Sequence, residues 1–358
     1  MLNWLKRTPA VLMVLLLSGT VHAQGVALPP LQFPTPDPLP KPLHVTACVF
    51  DIAGAQGQIW NLAKDLALEA KKWNVHANLR LYTDERVAAE DYKAGQCDMV
   101  TLSLLRAKQF NHIVGSIDAP GNLPNYEVAK TLLRTLANPQ FARIAINGPY
   151  QIVGIAPIGS IFVMVNDRQI DSIEKAAGKR VAVLEWDRSQ ARMIAGLGAQ
   201  PVPSDITNFA GKFNNGQVDI IAAPALAFKP LELHKGLGDK GAIFRFPLLI
   251  AHGAILIRRD KILPQVPDLD ARLLSLQRFA LQYVDPYVEV LRRQEAEIPS
   301  RYWLDLKPED QTKYQNMLRE ARLRLTMEGI YAAATMNILK RVRCRHDPQN
   351  LECTQHDE

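Results

Sequence analysis

Only four cysteines occur in 358 residues, too few to staple a small disulfide scaffold and without the CxxC spacing of a redox or zinc motif. Beyond the N-terminal leader, no segment is long and apolar enough to span a bilayer as a helix. GxxxxGK[ST], HExxH, GxSxG and a strand-linked GxGxxG are all missing, so the common nucleotide, zinc-hydrolase, serine-hydrolase and dinucleotide signatures have no foothold and no catalytic residue is nominated. No cofactor or metal is expected either: the eight histidines are scattered and lack companion ligands. The formal charge is only +6 and the basic residues form no long block, which makes nucleic acid an unexpected partner. The remaining composition, 47% apolar, 22% charged and 7% aromatic, excludes disordered, collagenous and multi-span membrane classes and leaves room for two domains.

Lys6 and Arg7 precede the apolar run Ala10–Leu17, and Ser18-Gly19-Thr20 lead to Val21-His22-Ala23, a small-x-small site for signal peptidase. Residues 1–23 read as a cleaved secretory signal, since the run is less than half of the roughly 20 apolar residues a membrane helix needs. Seven prolines stand between Pro29 and Pro42. They leave few backbone donors, so residues 24–43 read as an extended arm.

The segment from His44 to Asp51 reads as a strand, Ile59 to Trp73 as a helix, Asn78 to Tyr82 as a strand, Asp84 to Ala94 as a helix and Asp98 to Leu102 as a strand. Such alternation implies a parallel sheet with crossover helices. The same order recurs from Arg180 to Ala222. Without a gap, DERVAAEDYKAGQCD (84–98) meets DITNFAGKFNNGQVD (205–219), so that Asp84 aligns with Asp205, Tyr92 with Phe213, and Gly95-Gln96-x-Asp98 with Gly216-Gln217-x-Asp219. The first Asp suits a helix cap, the aromatic a helix–sheet contact, and the Gly a left-handed turn into the next strand. Two related α/β lobes are expected. Ile144–Pro157 and Ala242–Ile257 read as crossovers between them, and Asp270–Tyr283, Pro286–Glu297, Pro308–Thr326 and Met327–Arg343 as helices. The chain then divides into signal 1–23, arm 24–43, first lobe 44–150, second lobe 151–243, crossover and return 244–265, C-terminal helices 266–343 and tail 344–358.

Open α/β sheets bind ligands at the carboxyl ends of their strands, which nominates the loops there. Asp51, Gly54 and Gln56 belong to a turn with backbone N–H groups at a helix start, a place for a carboxylate or phosphate. Glu185, Trp186, Asp187 and Arg188 occupy the equivalent turn of the second lobe. Ser103 and Pro224 end the two later strands, and Arg245 and Phe246 precede a crossover. Arg188 and Arg245 either clamp a carboxylate or are exposed partners of Asp187 and other acids. His252, alone in an apolar strand, reads as a satisfied core or cleft residue, and Lys340–Arg345 as a solvated helix end. Cys344, His346, Cys353 and His356 admit a metal, but in an exported chain a Cys344–Cys353 disulfide is the preferred reading. Cys48 and Cys97 fall on neighbouring strands and suggest a second pair, although four cysteines allow three pairings.

Ala177-Gly178-Lys179-Arg180-Val181, Leu197-Gly198-Ala199-Gln200-Pro201-Val202, Phe213-Asn214-Asn215-Gly216-Gln217-Val218-Asp219 and the strand around His252, with Lys93-Ala94-Gly95-Gln96-Cys97-Asp98-Met99 in the first lobe, resemble the DctP-like solute-binding proteins of tripartite ATP-independent periplasmic (TRAP) transporters. The resemblance covers most of residues 44–265. It implies a two-lobed periplasmic binding-protein fold of the type II kind that closes on a small solute and delivers it to a membrane transporter component. At the position where that family carries a carboxylate-binding arginine this chain has Ala182, with Arg180 two residues earlier on the same strand face. With Asp51, Glu185 and Asp187 near the cleft, a cationic or polar neutral solute therefore competes with an organic acid. The proline arm and cysteine-containing tail are similar to a divergent branch labelled as accessories of resistance-nodulation-division efflux systems. A non-transporting interaction protein on the same fold is the alternative reading; an enzyme lacks a nucleophile and base.

Overall fold

The computed structural model describes residues 37–358; the predicted signal and the arm up to residue 36 lie outside the described residues. The run LHVTACVF forms β1 (Leu43–Phe50). Helix and strand then alternate as the periodicity requires: α1 (Gln58–Ala70), β2 (Val75–Tyr82), α2 (Glu85–Lys93) and β3 (Met99–Ser103), followed by α3 (Leu104–Ala107), α4 (His112–Gly115) and α5 (Tyr126–Leu136). A short β4 (Ile146–Asn147) leads to the long β5 (Tyr150–Val165), and the alternation repeats in β6 (Arg180–Leu184), α6 (Arg188–Gly196), β7 (Gln200–Ser204), α7 (Phe209–Asn214) and β8 (Ile220–Pro224). After α8 (His234–Leu237) comes a second long strand, β9 (Ala242–Arg258). The remainder holds α9 (Arg259–Ile262), α10 (Leu269–Ala280), α11 (Val284–Ala296), β10 (Trp303–Leu304), α12 (Pro308–Met327) and α13 (Ala333–His346). The helix expected from Met327 is shorter at its start, because α12 runs through Met327 and a turn containing Gly329 (φ +74°) separates it from α13.

These strands form one sheet in the order β2-β1-β3-β9-β5-β8-β6-β7, with β4 beside β5 and β10 beside β9. β1 is parallel to β2 and β3, and β6 to β7 and β8. The antiparallel strands β5 and β9 belong to both halves. Their Tyr150–Arg258 end continues the first half, where Met99–Ser103 of β3 pairs with Ile257–Gly253. Their Val165–Ala242 end continues the second, where Ile161–Val165 pairs with Pro224–Ile220 of β8. The register between them shifts between Pro157 and Gly159, and such bulges bend a sheet. Two lobes thus hang on two shared strands.

The repeated motif is repeated in its bonds. Asp98 accepts the N–H of Thr46 and donates its own N–H to the Thr46 carbonyl, both at 2.8 Å. Asp219 does the same with Arg180 at 2.9 and 2.8 Å. Gly95 and Gly216 sit at φ +79° and +68°, where only glycine is unstrained, and Tyr92 and Phe213 are both fully buried. Arg180 adds its guanidinium to Asp219 through Nε at 3.0 Å and Nη2 at 2.7 Å. That pairing pulls the Asp219 carboxyl down to about 2.

The C-terminal helices strap the lobes together. Val288, Leu291, Leu325, Leu339 and Val342 complete the first lobe's core around Tyr92, Leu104 and Ile117, while Ile298, Tyr302, Leu306 and Tyr314 enter the second lobe's. The arm's described end docks as well: Leu39 is buried with Leu43, Ile257 and Leu269, and donates its N–H to the Trp73 carbonyl at 3.0 Å. The solvated reading of the basic helix end holds for Arg341 and Arg345, which are exposed, and is corrected for Lys340 and Arg343, which are buried. Arg322 and Arg343 are 2% and 6% exposed because the tail folds two carboxylates back onto them. Arg343 donates to Glu352 at 2.7 Å and to Glu358 at 2.6 Å, and Arg322 to Glu352 at 3.1 Å and Glu358 at 2.5 Å. Asn122 and the Pro120 carbonyl take further guanidinium hydrogens, so the cluster is satisfied without water.

The four cysteines pair as Cys48–Cys97 and Cys344–Cys353. Peptide mapping without reductant should recover these two cross-links, and free thiols at Cys48 and Cys97 would contradict the pairing. Closing 49 residues, the Cys48–Cys97 bond stabilises by about 4 kcal/mol on a chain-entropy estimate. Asp219→Asn should cost about 1 kcal/mol at neutral pH, allowing for the solvent around Arg180. Since the folded carboxyl titrates lower than the unfolded one, the loss is complete above about pH 4 and fades as pH falls through about 2. Urea titrations across that range measure it.

Candidate functional site

The register of the two long strands sets the geometry. Ser103, the last residue of β3, is level with Gly253 of β9; Pro224, the last of β8, is level with Ile161 and through it with Leu249. The two strand ends therefore face each other across a few residues of β9, roughly 13 Å of strand, with His252 between them.

On the first-lobe side the anticipated anion turn is corrected. Asp51 is buried and caps α1 itself, accepting the N–H of Ala53 at 2.9 Å and of Trp60 at 3.0 Å. Its carboxylate fills the space a Cβ on Gly57 would need, at about 2 Å. One helix-start donor, the Trp60 N–H, is thus already taken, and the Asp51 carboxylate occupies the place of an incoming anion. Gly54 lies in the tight turn beside Thr83, and Gln56 is exposed. Ser103 is structural in a second sense: its Oγ accepts the Arg106 N–H at 3.2 Å and its own N–H goes to Glu85.

In the second lobe, the predicted turn divides. Glu185 and Arg188 are exposed, the first using only its N–H, on the Ser204 carbonyl at 2.8 Å. Trp186 and Asp187 turn inward. The Arg106 guanidinium lies over the Trp186 ring, 4.1 Å from its centroid, a contact from one lobe to the other. Asp187 is 5% exposed; its Oδ1 accepts the Ser189 N–H at 3.0 Å and the Ser189 hydroxyl. The Ser189 Oγ lies 3.5 Å from the Tyr331 hydroxyl. Pro224 is half-buried at the end of β8.

Arg245 and Phe246 do not join this group. Arg245 is exposed, donates to Asp305 at 2.9 Å and lies over Trp303 at 5.0 Å. Phe246 packs near Tyr314, 6.1 Å between centroids. Their strand register falls between Ile243 and Pro247, short of the strand ends, so Arg245 and Arg188 form no clamp here. Arg180 is occupied by Asp219 at the amino end of β6.

Residues outside the predicted set complete the site. Glu85, the first residue of α2, is 1% exposed; burial pushes its carboxyl up, against the Ser103 bonds and the charge of Arg106. Arg106 Nε lies 3.8 Å from Glu85 Oε2. Lys108 sits over the Tyr331 ring at 4.7 Å, its ammonium held down by burial and supported by the Asp187 charge. His252 is fully buried: its N–H donates to Asp118 Oδ2 at 2.8 Å and its Nδ1 lies 2.9 Å from Oδ1, so Nδ1 carries the proton. Among the described residues seven buried side-chain polar atoms have no hydrogen-bond partner, and five of them are here: Glu85 Oε2, Arg106 Nε, Trp186 Nε1, Asp187 Oδ2 and His252 Nε2. Buried polar atoms are normally satisfied, so their concentration between the lobes marks a place built to receive polar groups. A concavity of about 400 Å³ also lies between Asp171–Lys175 and Leu304–Lys313, but there Lys313 pairs with Glu174 and Lys175 with Asp171, each at 2.7 Å.

Solved structures carry the same architecture. A TRAP periplasmic solute-binding protein from Ralstonia eutropha with bound (S)-2-acetolactate matches over 84% of this chain and 99% of its own, with a TM-score of 0.69 and 13% identity. One from Roseobacter denitrificans with bound β-D-glucuronate covers 83% and 98%, at TM-score 0.66 and 14% identity. The fold is thus that of the TRAP periplasmic solute-binding proteins. The probable solute-binding protein AdeT1 of Acinetobacter baumannii is 43% identical over 310 residues, 87% of this chain and all of that one. The model of the family "Solute-binding protein AdeT 1/2" matches residues 66–358, and the chain belongs to that family, one of binding proteins. No helix among the described residues is long and apolar enough to cross a membrane.

Burial of Glu85 yields a pH test. Its folded carboxyl titrates above its unfolded one, so wild type loses stability as pH rises from the unfolded value, about 4.3, through the raised folded value. Glu85→Gln removes that slope, and denaturant titrations of both proteins between pH 4 and 8 should converge at the acid end and favour the variant at the alkaline end. Parallel curves would show that Glu85 is ionised throughout.

Proposed function

We propose that this protein captures a small polar or charged solute between its lobes in the periplasm and presents it, unaltered, to a membrane transporter component. Five buried polar atoms without a hydrogen bond, contributed by both lobes and by the strand that joins them, carry this reading; Glu85 Oε2 and Arg106 Nε stand in a long ion pair at 3.8 Å, while Trp186 Nε1, Asp187 Oδ2 and His252 Nε2 have no such counterpart. A solute meeting groups on both sides makes the closed arrangement more stable than the open one, and a partner that recognises the closed form then reads occupancy. The signal at residues 1–23 supports export, and the two relatives with bound small molecules share the fold.

A thermal-shift screen of the mature chain, residues 24–358, against organic acids, amino acids, polyamines and aromatic carboxylates tests it, because binding to the folded state raises the melting temperature. A saturable rise with one chemical class is expected, and Trp186→Ala should weaken that binding at least tenfold by removing the aromatic face and its N–H donor. No rise with any compound, together with no ligand retained in native mass spectrometry, would transfer the role to protein–protein interaction.

A further inference from the structure

The charges left open in the cleft are of both signs and are divided between the lobes. The first lobe supplies Arg106 and Lys108, which follow β3 on one short helix and its end. Lys108 forms an ion pair with no carboxylate among the described residues, its ammonium resting on the Tyr331 ring. Arg106 reaches its nearest carboxylate at only 3.8 Å and keeps Nε unpartnered. The second lobe supplies Asp187, buried at 5% exposure, with Oδ1 used by Ser189 and Oδ2 unpartnered. A carboxylate oxygen accepts hydrogen bonds and donates none; Oδ2 therefore calls for a donor, and a cationic one is favoured at such depth. On β6 the Arg180 guanidinium is spent on Asp219. On the second lobe Arg192 pairs with Glu328 and Arg188 is exposed; Lys108 of the first lobe is close enough to feel the Asp187 charge, but it makes neither an ion pair nor a hydrogen bond with it and leaves Oδ2 open.

We infer that the solute is a zwitterion of the amino-acid class, its ammonium directed to Asp187 of the second lobe and its carboxylate to Arg106 and Lys108 of the first. This rests on the solute-binding reading above and narrows it. A plain carboxylate satisfies the first lobe but brings a like charge toward Asp187. A plain amine satisfies Asp187 but brings its charge toward two cations. Only a molecule carrying both ends answers both lobes, and it also couples them: each end gains its partner fully when the lobes close. Glu85 fits the same scheme, because it fixes Ser103 and stands against Arg106, setting the guanidinium edge that faces the cleft.

The test is isothermal titration of the mature chain with matched probes: the proteinogenic amino acids, the amines that lack their carboxylate, and the carboxylic acids that carry hydrogen in place of the ammonium. At least one amino acid should bind, with its amine and its acid each at least tenfold weaker. Asp187→Asn, which keeps the Oδ1 cap on Ser189, should weaken the amino acid at least tenfold and leave the acid unchanged or tighter; Lys108→Met should weaken the amino acid and the acid alike. Circular dichroism and urea midpoints establish that both variants are folded, and if Asp187→Asn fails there, Lys108→Met and the wild-type probe series still decide. An acid or an amine that binds wild type as tightly as its amino acid overturns the zwitterion while leaving solute binding intact. So does binding confined to solutes outside all three series. Absence of binding by every compound in these series and in the wider screen overturns both readings.

Discussion

The antiparallel pairing of β5 with β9 is the constraint on which the rest of the molecule depends. Because both strands serve two half-sheets, a single register decides how far β3 and β8 reach toward each other, and hence how wide the interval between the lobes is. A slip of one residue would turn every side chain of a strand to the opposite face, carrying His252 away from Asp118 and Ile250 and Ala254 out of the first lobe's core. The bulge at Pro157–Gly159 falls at a level that neither β3 nor β8 flanks, and three further register shifts lie beside those strands. Asp118 anchors β9 there through both the backbone and the ring of His252, so the crossing is fixed from one side and bent from the other.

Around that crossing are concentrated five of the seven buried polar side-chain atoms that lack a hydrogen bond among the described residues. Desolvating a carboxylate or guanidinium without a partner costs several kcal/mol, and in the tail Arg322 and Arg343 are answered by Glu352, Glu358, Asn122 and the Pro120 carbonyl. The contrast between a saturated cluster in the tail and an unsaturated one between the lobes is a chemical difference rather than one of depth, since Glu85 is as buried as Arg322. Stacking of Arg106 on Trp186 keeps the guanidinium plane covered while leaving its edge available, a use of arginine that lysine cannot reproduce.

Much of the fold was readable because the signals were local. The gapless alignment of residues 84–98 with 205–219 anticipated the buried aromatic and the left-handed glycine of each lobe, and the expectation of export favoured a disulfide over a metal in the cysteine-containing tail. The site was less readable. Trp186 and Asp187 were nominated because they follow a strand, and both turn inward; Asp51, chosen by the same rule, caps its own helix, and nothing in the sequence distinguishes a carboxylate that turns back from one that turns outward. Arg106 and Lys108 lie just past Ser103 and show a weak signal, two cations closing an apolar strand. Glu85 reads as an ordinary first-turn acid, favourable at any helix start, and Tyr331 enters only because the turn at Gly329 interrupts a helical pattern far along the chain from its neighbours in space, Ser189 and Lys108. Of the two readings open for Arg245, the structure has the exposed partner of an acid, Asp305, a choice set by strand register, which is a tertiary quantity.

The first lobe's core unites residues from Cys48 to Val342, nearly the full described length of the chain, and this has a bearing on how the molecule comes into being. A polypeptide that emerges amino end first must hold Leu104, Ile117 and Leu132 without their final cover until the last helix arrives, whereas the second lobe closes over a much shorter stretch. Contacts so distant along the chain form slowly, and apolar surface awaiting them is prone to association with other chains. The order of birth is therefore the reverse of the order of completion: the lobe made first is the one finished last, and its maturation is timed by the arrival of the carboxyl-terminal helices.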